Sequence, residues 1–210
     1  TIISPATASI DSSKTPLTID ENLKWDQLHG ALENGNFTMK SFAGSYDVEH
    51  IDDDAPTNLL DDTFEGHTSG YIFASNGKEA FRHTYLIYNS DLTNYYDYYK
   101  ENGDDIIHLE FDDEYNQGTT LKFPKQAFKE TITHTYASEA FASLIKGENG
   151  EFLAGIDGDD YYKDVGIPFI DNGVFTVLMK HPRTISTGYR YFYEIVKFYN
   201  IGNTIVDIPS

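Results

Sequence analysis

No cysteine occurs anywhere in the 210 residues. That excludes a disulfide framework, a thiol nucleophile and a Cys-built zinc site. Basic residues are scarce, 15 against 34 acids, which leaves a formal charge of −19. A field of that sign repels nucleic acid and anionic membrane surfaces, so no nucleic-acid partner is expected. No stretch approaches the ~18 apolar residues of a membrane helix, so the chain is not expected to span a membrane. Gly-x-Ser-x-Gly, Gly-x-x-x-x-Gly-Lys-Ser/Thr and Gly-x-Gly-x-x-Gly are all missing. Their absence counts against a serine hydrolase of the α/β type, a P-loop nucleotidase and a dinucleotide enzyme. None of the seven histidines forms a His-x-x-x-His or His-Glu-x-x-His pattern, which leaves helix-borne zinc chemistry without support. No metal site and no cofactor are expected.

What the chain does have is tyrosine and phenylalanine, 16 and 14, beside a single Trp. These residues favour strands. In the last quarter, Phe175–Met179 and Tyr189–Phe198 keep a strand period with large side chains on both faces, as in a strand held between two apolar layers or in half of a sheet wrapped around an apolar interior. Earlier, the pattern predicts a helix over Asp20–Asn34, capped by Thr18 or Asp20 and stopped at Gly35. Strands are predicted over Asn36–Tyr46, Ser69–Ser75, Ala80–Tyr88, Asp105–Phe111 and Thr119–Phe123. Asn76-Gly77 and Asn102-Gly103 read as hairpin turns. The acid-rich stretch Asp47–Glu65 reads as a solvated loop. Lys125–Lys146 reads as partly helical, most firmly over Ser138–Lys146, and Gly147–Gly173 as loop. Strands over Val174–Lys180, Tyr189–Tyr199 and Thr204–Ile208 close the chain.

Residues 1–18 are small, polar and rich in Ser, Thr and Pro, and read as a flexible leader to a single domain over residues 19–210. Such a leader suits the tether left after a processed N-terminus. An extracytoplasmic location is therefore expected, secreted or anchored at a bacterial cell surface, with membrane tethering through a removed N-terminus as one form of it.

The helix-to-strand step Leu28-His-Gly-Ala-Leu-Glu-Asn-Gly-Asn-Phe-Thr-Met39 resembles part of the bacterial lipoprotein-carrier-like proteins of the LolA and LppX type. So do the hairpin Gly70-Tyr-Ile-Phe-Ala-Ser-Asn-Gly-Lys78 and the ending Tyr199-Asn-Ile-Gly-Asn-Thr-Ile-Val-Asp-Ile-Pro209. The likeness runs over roughly residues 20–209 as a pattern of elements. It implies an α+β, mainly β fold: a strongly curved antiparallel sheet, or half-barrel, with helices on its concave face. A β-sandwich is the alternative, since both read as alternating strands with turns. The resemblance implies no catalytic residue and a non-enzymatic role, the binding of a lipid or other apolar ligand between sheet and helices. Candidate lining residues, by strand alternation, are Phe37, Met39, Tyr71, Phe73, Tyr85, Ile87, Leu178, Tyr191 and Tyr193, with Phe141, Leu144 and Ile145 as a helical plug.

Three other constellations compete. Asp157, Asp159 and Asp160 resemble half of a calcium loop, but Pro168 stands where an EF-hand places its bidentate Glu. The tyrosines of Tyr95–Tyr99 fit an exposed platform for sugar rings or a partner, the basis of an alternative function in adhesion or carbohydrate binding. His83 and His108 each fall mid-strand, where they could face each other across a hairpin. A hydrolase of the paired-carboxylate type would show two acids facing one another with one pKa raised.

Overall fold

The computed structural model describes residues 5–114, 116–139, 141–158 and 163–209. In chain order the strands and helices are β1 (Thr7–Ile10), α1 (Trp25–Glu33), β2 (Asn36–Val48), β3 (His67–Asn76), β4 (Ala80–Tyr88), β5 (Asp91–Asn102), β6 (Asp105–Phe111), β7 (Gln117–Pro124), α2 (His134–Glu139), β8 (Leu144–Lys146), β9 (Phe152–Asp157), β10 (Asp164–Asp171), β11 (Val174–Ile185), β12 (Gly188–Tyr199) and β13 (Thr204–Asp207). Eleven strands form one open antiparallel sheet in the order β7-β6-β5-β4-β3-β2-β12-β11-β10-β9-β8, and β1 and β13 make a separate two-stranded ribbon. Two meanders thus run in opposite directions from a central β2–β12 seam, which pairs residues far apart in the chain from Thr38–Tyr199 to Val48–Tyr189. The mainly β, antiparallel architecture expected from the composition holds. No helix among the described residues is long and apolar enough to cross a membrane.

The two faces of the sheet are covered differently. On one, here the helix face, α1 lays Leu28 and Leu32 onto Phe37, Met39, Phe73 and Phe198, all fully or almost fully buried. Residues 125–143 complete this cover as a 3₁₀ turn (Lys125–Ala127), a π-turn (Lys129–Thr133), α2 and a second 3₁₀ turn (Phe141–Ser143). They contribute Phe128, Ile132, Tyr136 and Phe141 to the same core. The ring of Tyr136 stacks on Phe73 at 3.8 Å between centroids. On the other, here the loop face, residues 49–66 close over Phe42, Tyr46, Tyr191, Tyr193 and Ile195, with Leu59 tucked in at 3% exposure. The β1–β13 ribbon covers Ala74, Phe81, Tyr98 and Phe111 through Ala6, Val206 and Ile208. Strand β12 is therefore apolar on both faces for one of the two reasons its sequence suggests: each face meets its own core.

Several local expectations are corrected. The first helix starts at Trp25, where the Gln27 carboxamide oxygen accepts the Lys24 N–H at 2.9 Å. Asp20 instead closes a turn one step earlier by accepting from Asn22. The Trp25 ring packs on Phe141 and Phe152. The firm helix predicted over Ser138–Lys146 ends at Glu139, and Leu144–Lys146 is a strand paired with Phe152–Ala154. The predicted loop Gly147–Gly173 contains β9 and β10. Within the predicted leader, Thr7–Ile10 pairs in register with Thr204–Asp207. A partner nearly two hundred residues away leaves no local mark on a short Ser/Thr strand.

Candidate binding groove on the loop face

Between the two covers of the loop face the sheet is left open, and a groove crosses it. Its floor is a row of side chains lying straight across four strands. Lys40 of β2 pairs with Ile72 of β3, Ile72 with His83 of β4, and His83 with Tyr96 of β5. The His83 and Tyr96 rings stack at 4.6 Å, and His83 Nε2 lies 2.9 Å from the Asn94 side-chain oxygen. Directly opposite pairs of this kind are the natural unit of contact on one face of a sheet. Two adjoining cavities lie over this floor and share His83 in their walls. One, about 430 Å³, also takes in Lys40, Ile72, Phe81, Tyr96 and Tyr199. The other, about 410 Å³, takes in Asp62, Phe64, Tyr85, Ile87, Leu92 and Asn94. Gly70 makes room for Tyr85: a Cβ there would stand 2.6 Å from the Tyr85 hydroxyl.

Both walls are pinned by buried polar contacts. The ribbon is fixed where the Asn36 side chain accepts the Thr204 N–H at 2.7 Å and donates to the Thr204 carbonyl at 3.0 Å. The Ala6 N–H donates to the Tyr98 hydroxyl at 3.1 Å. The loop is fixed by His67, whose Nε2 lies 2.7 Å from the Asp61 carbonyl and whose Nδ1 lies 2.8 Å from the Tyr193 hydroxyl. A carbonyl only accepts, so Nε2 carries the proton and Nδ1 accepts from Tyr193. Burial holds this imidazole below its ordinary pKa, and it stays neutral. Tyr191 donates to the Ile51 carbonyl at 2.6 Å, and Lys197 donates to the Leu60 carbonyl at 3.0 Å.

Polar groups stand among the apolar ones along the groove, including Lys40, Asp62, Thr63, His83, Asn94 and Asn200. Lys40 reaches Asp62 at 3.7 Å and lies 5.3 Å from the centre of the Tyr199 ring. Burial, then the Asp62 carboxylate, pushes the phenols of Tyr85 and Tyr199 up, so both remain neutral hydrogen-bonding groups. Half-buried aromatic faces beside hydroxyl, amide, ammonium and carboxylate groups make a mixed surface, apolar in its walls and polar at fixed points.

The nine predicted lining residues do not form one set. Phe37, Met39 and Phe73 are fully buried beneath α1 and α2, and Tyr71 lies on the same helix face. Tyr85 and Ile87 line the groove. Tyr191 and Tyr193 are buried on the loop face, with Leu178 packed against the same core. Of the predicted plug, Phe141 and Leu144 are buried while Ile145 is 52% exposed. His83 and His108 lie on opposite faces: His108 stacks on Tyr99 and reaches Asp97 at 2.8 Å and Glu110 at 3.8 Å. Those three residues bring their donor atoms within 4.8 Å of one another. The His108–Asp97 contact already satisfies the ring nitrogen that would face an ion. Asp159, Asp160 and the Tyr161-Tyr162 pair lie outside the described residues.

Two acids do meet on the helix face. Tyr71 donates to Glu139 Oε2 at 2.5 Å, and Ser41 donates to Glu194 Oε1 at 3.2 Å. Burial, with a hydrogen bond to Glu139 and the charge beside it, pushes the Glu194 carboxyl up to about 7. When Glu194 is protonated, its carboxyl can donate to Glu139. Neither lines the groove. Their place is the seam between α2 and β12, where they join cover to sheet.

Lys40, Ile72 and Asn94 had no sequence signal beyond strand alternation. The floor depends on the register of four strands, and an alternating pattern does not carry register. No protein-family model, curated protein or solved structure matches this chain.

Proposed function

We propose that this is a non-enzymatic extracytoplasmic binding protein whose ligand is a carbohydrate held in the groove of the loop face. The observation that carries the reading is the cross-strand row Lys40–Ile72–His83–Tyr96 under two adjoining open cavities. Sugar rings present flat C–H faces and a rim of hydroxyls. Aromatic walls with isolated polar groups suit both. On the helix face, by contrast, the space between sheet and helices is occupied by the protein's own Phe37, Met39, Phe73 and Phe198.

The test is binding to an array of immobilised oligosaccharides, followed by titration of the best binder with Tyr96→Ala and Lys40→Ala. Loss of one stacking face is expected to weaken binding by about tenfold or more. An array without binders, or a Tyr96→Ala protein that binds as well as the parent, overturns the reading.

A second reading keeps the carrier-like half-barrel, with an apolar ligand between sheet and helical cover. A specific observation favours it. A cavity of about 310 Å³ opens beside the cover, lined by Leu144, Ile145, Ile156 and Met179, with Asp164 and His181 among its polar groups. Mass spectrometry of an organic extract of the fresh protein distinguishes the two. A stoichiometric lipid favours this second reading, whereas a clean extract leaves the groove as the site.

A further inference from the structure

Lys180 lies on the loop face of β11, beyond the far side of the 49–66 loop from the groove. Its ammonium stands 4.7 Å from the centre of the Tyr191 ring. The other cations nearby have acids: Lys40 meets Asp62 at 3.7 Å, Lys197 meets Asp171 at 2.9 Å, and Arg190 meets Asp47 at 2.7 Å. Among the described residues Lys180 has no carboxylate within ion-pair distance. Asp54 acts on it only from further off, and burial lowers its pKa. A half-buried cation with no carboxylate at ion-pair distance among the described residues is unexpected in a chain with 34 acids and 15 bases. Removing charge from water without compensation costs free energy, and an incoming anion removes that cost.

Lys180 lines a cavity of about 300 Å³ whose other walls include Ile51, Val165, Ile167, Pro182 and Tyr191. That size is at the lower end of small-molecule sites, about 300–1,000 Å³. Asp52 and Lys163 also line it, but both are exposed, where solvent screens their charge. The protein's overall negative field disfavours a polyanion. One half-buried cation beside apolar walls suits a single negative charge carried on an apolar body. We propose that this pocket binds a small monocarboxylic acid, with the carboxylate on the Lys180 ammonium and the apolar body against Ile167, Pro182 and Tyr191.

The proposal is independent of the groove and is tested with octanoate, using 1-octanol as the uncharged control. Isothermal titration should show saturable one-to-one binding of octanoate and at least about tenfold weaker binding of octanol. Lys180→Met, which keeps the length of the side chain, should lose octanoate affinity by about tenfold or more, and Lys180→Arg should keep part of it. Tyr96→Ala, in the groove, should bind octanoate as the parent does. NMR of the lysine side chains in the unmodified protein gives a second readout that needs no variant: octanoate should raise the Lys180 pKa. Equal affinity for acid and alcohol, full affinity in Lys180→Met, or an unmoved Lys180 resonance at saturating octanoate overturns the assignment.

Discussion

Glu194 carries a carboxyl that cannot ionise independently. Glu139 faces it from α2, Ser41 from β2, and Tyr71 from β3, with Arg82 of β4 lying 4.1 Å from the centre of the Tyr71 ring. Its pKa of about 7 lies above the ordinary 4.5. Below pH 4.5 the folded and unfolded states both hold the proton. Between 4.5 and about 7 the folded state holds it and the unfolded state has lost it. Stability therefore falls as pH rises through that window and levels off above it. With allowance for partial exposure the fall is on the order of 1–3 kcal/mol. Urea unfolding from about pH 5 to 8 measures it. Glu194→Gln, which can still donate to Glu139, is expected to flatten the slope and to be the more stable protein at pH 8 by ~1 kcal/mol. A slope unchanged in the variant removes the pair from the explanation. Exposed Asp47 and Asp61, held low by Arg190 and Thr63 respectively, give slopes of the opposite sign, but at lower pH.

At the scale of elements, the segment after β7 shows how context overrules pattern. Ser138–Lys146 has the apolar spacing of a helix, yet Phe141–Ser143 is a 3₁₀ turn and Leu144–Lys146 is the strand β8. The cause lies in two other strands. Gly155 of β9 and Gly166 of β10 face each other across the pair, and the Ser143 carbonyl sits where their side chains would be. A Cβ at Gly166 would lie 2.3 Å from that oxygen. These glycines are needed for close approach, since neither has a left-handed backbone. Gly166→Ala is expected to push the Phe141–Ser143 turn off the sheet and to cost ~1–3 kcal/mol, the usual range for overpacking. Thermal and urea unfolding check this. Gly103→Ala, at a turn with open space around it but φ +62, is the comparison: its cost should come from backbone strain alone, about 1 kcal/mol. Helical periodicity in residues 138–146 was legible, whereas the opposing glycines are recognisable as a socket only once β9 and β10 are paired.

For the whole molecule, the sheet order puts the longest strands at the centre and the shortest at one edge. Strands β2 and β12 run for 13 and 12 residues and are covered on both faces, while β8 has three residues and an exposed Ile145. Opening free energy follows burial and pairing on both sides. Amide hydrogen exchange is therefore expected to be slowest in β2, β3, β11 and β12 and faster by orders of magnitude in β7 and β8. Comparable protection in β8 and β12 contradicts this ranking. The central seam joins the start of the chain to its end, so a fragment lacking β12 should lose the protection of β2 as well.

The residues themselves determined most of the strands. Ala80–Tyr88 and Asp105–Phe111 begin and end where alternation and the Asn-Gly turns put them, and the large side chains on both faces of β12 were legible as such, though not whether they meet two cores or one. These are local properties: a side-chain period of two and a turn residue that tolerates positive φ act within a few positions. The tertiary structure alone decided which strands are neighbours. It set Thr7–Ile10 against Thr204–Asp207, placed β9 and β10 in a stretch rich in Gly and Asp, and aligned Lys40, Ile72, His83 and Tyr96 in one row. It also brought Glu139 to Glu194 and left Lys180 with no carboxylate at ion-pair distance among the described residues. Alternation fixes which face a side chain takes once its strand is placed. Register and neighbour are fixed by packing between segments distant in sequence, and no periodicity within either segment encodes that.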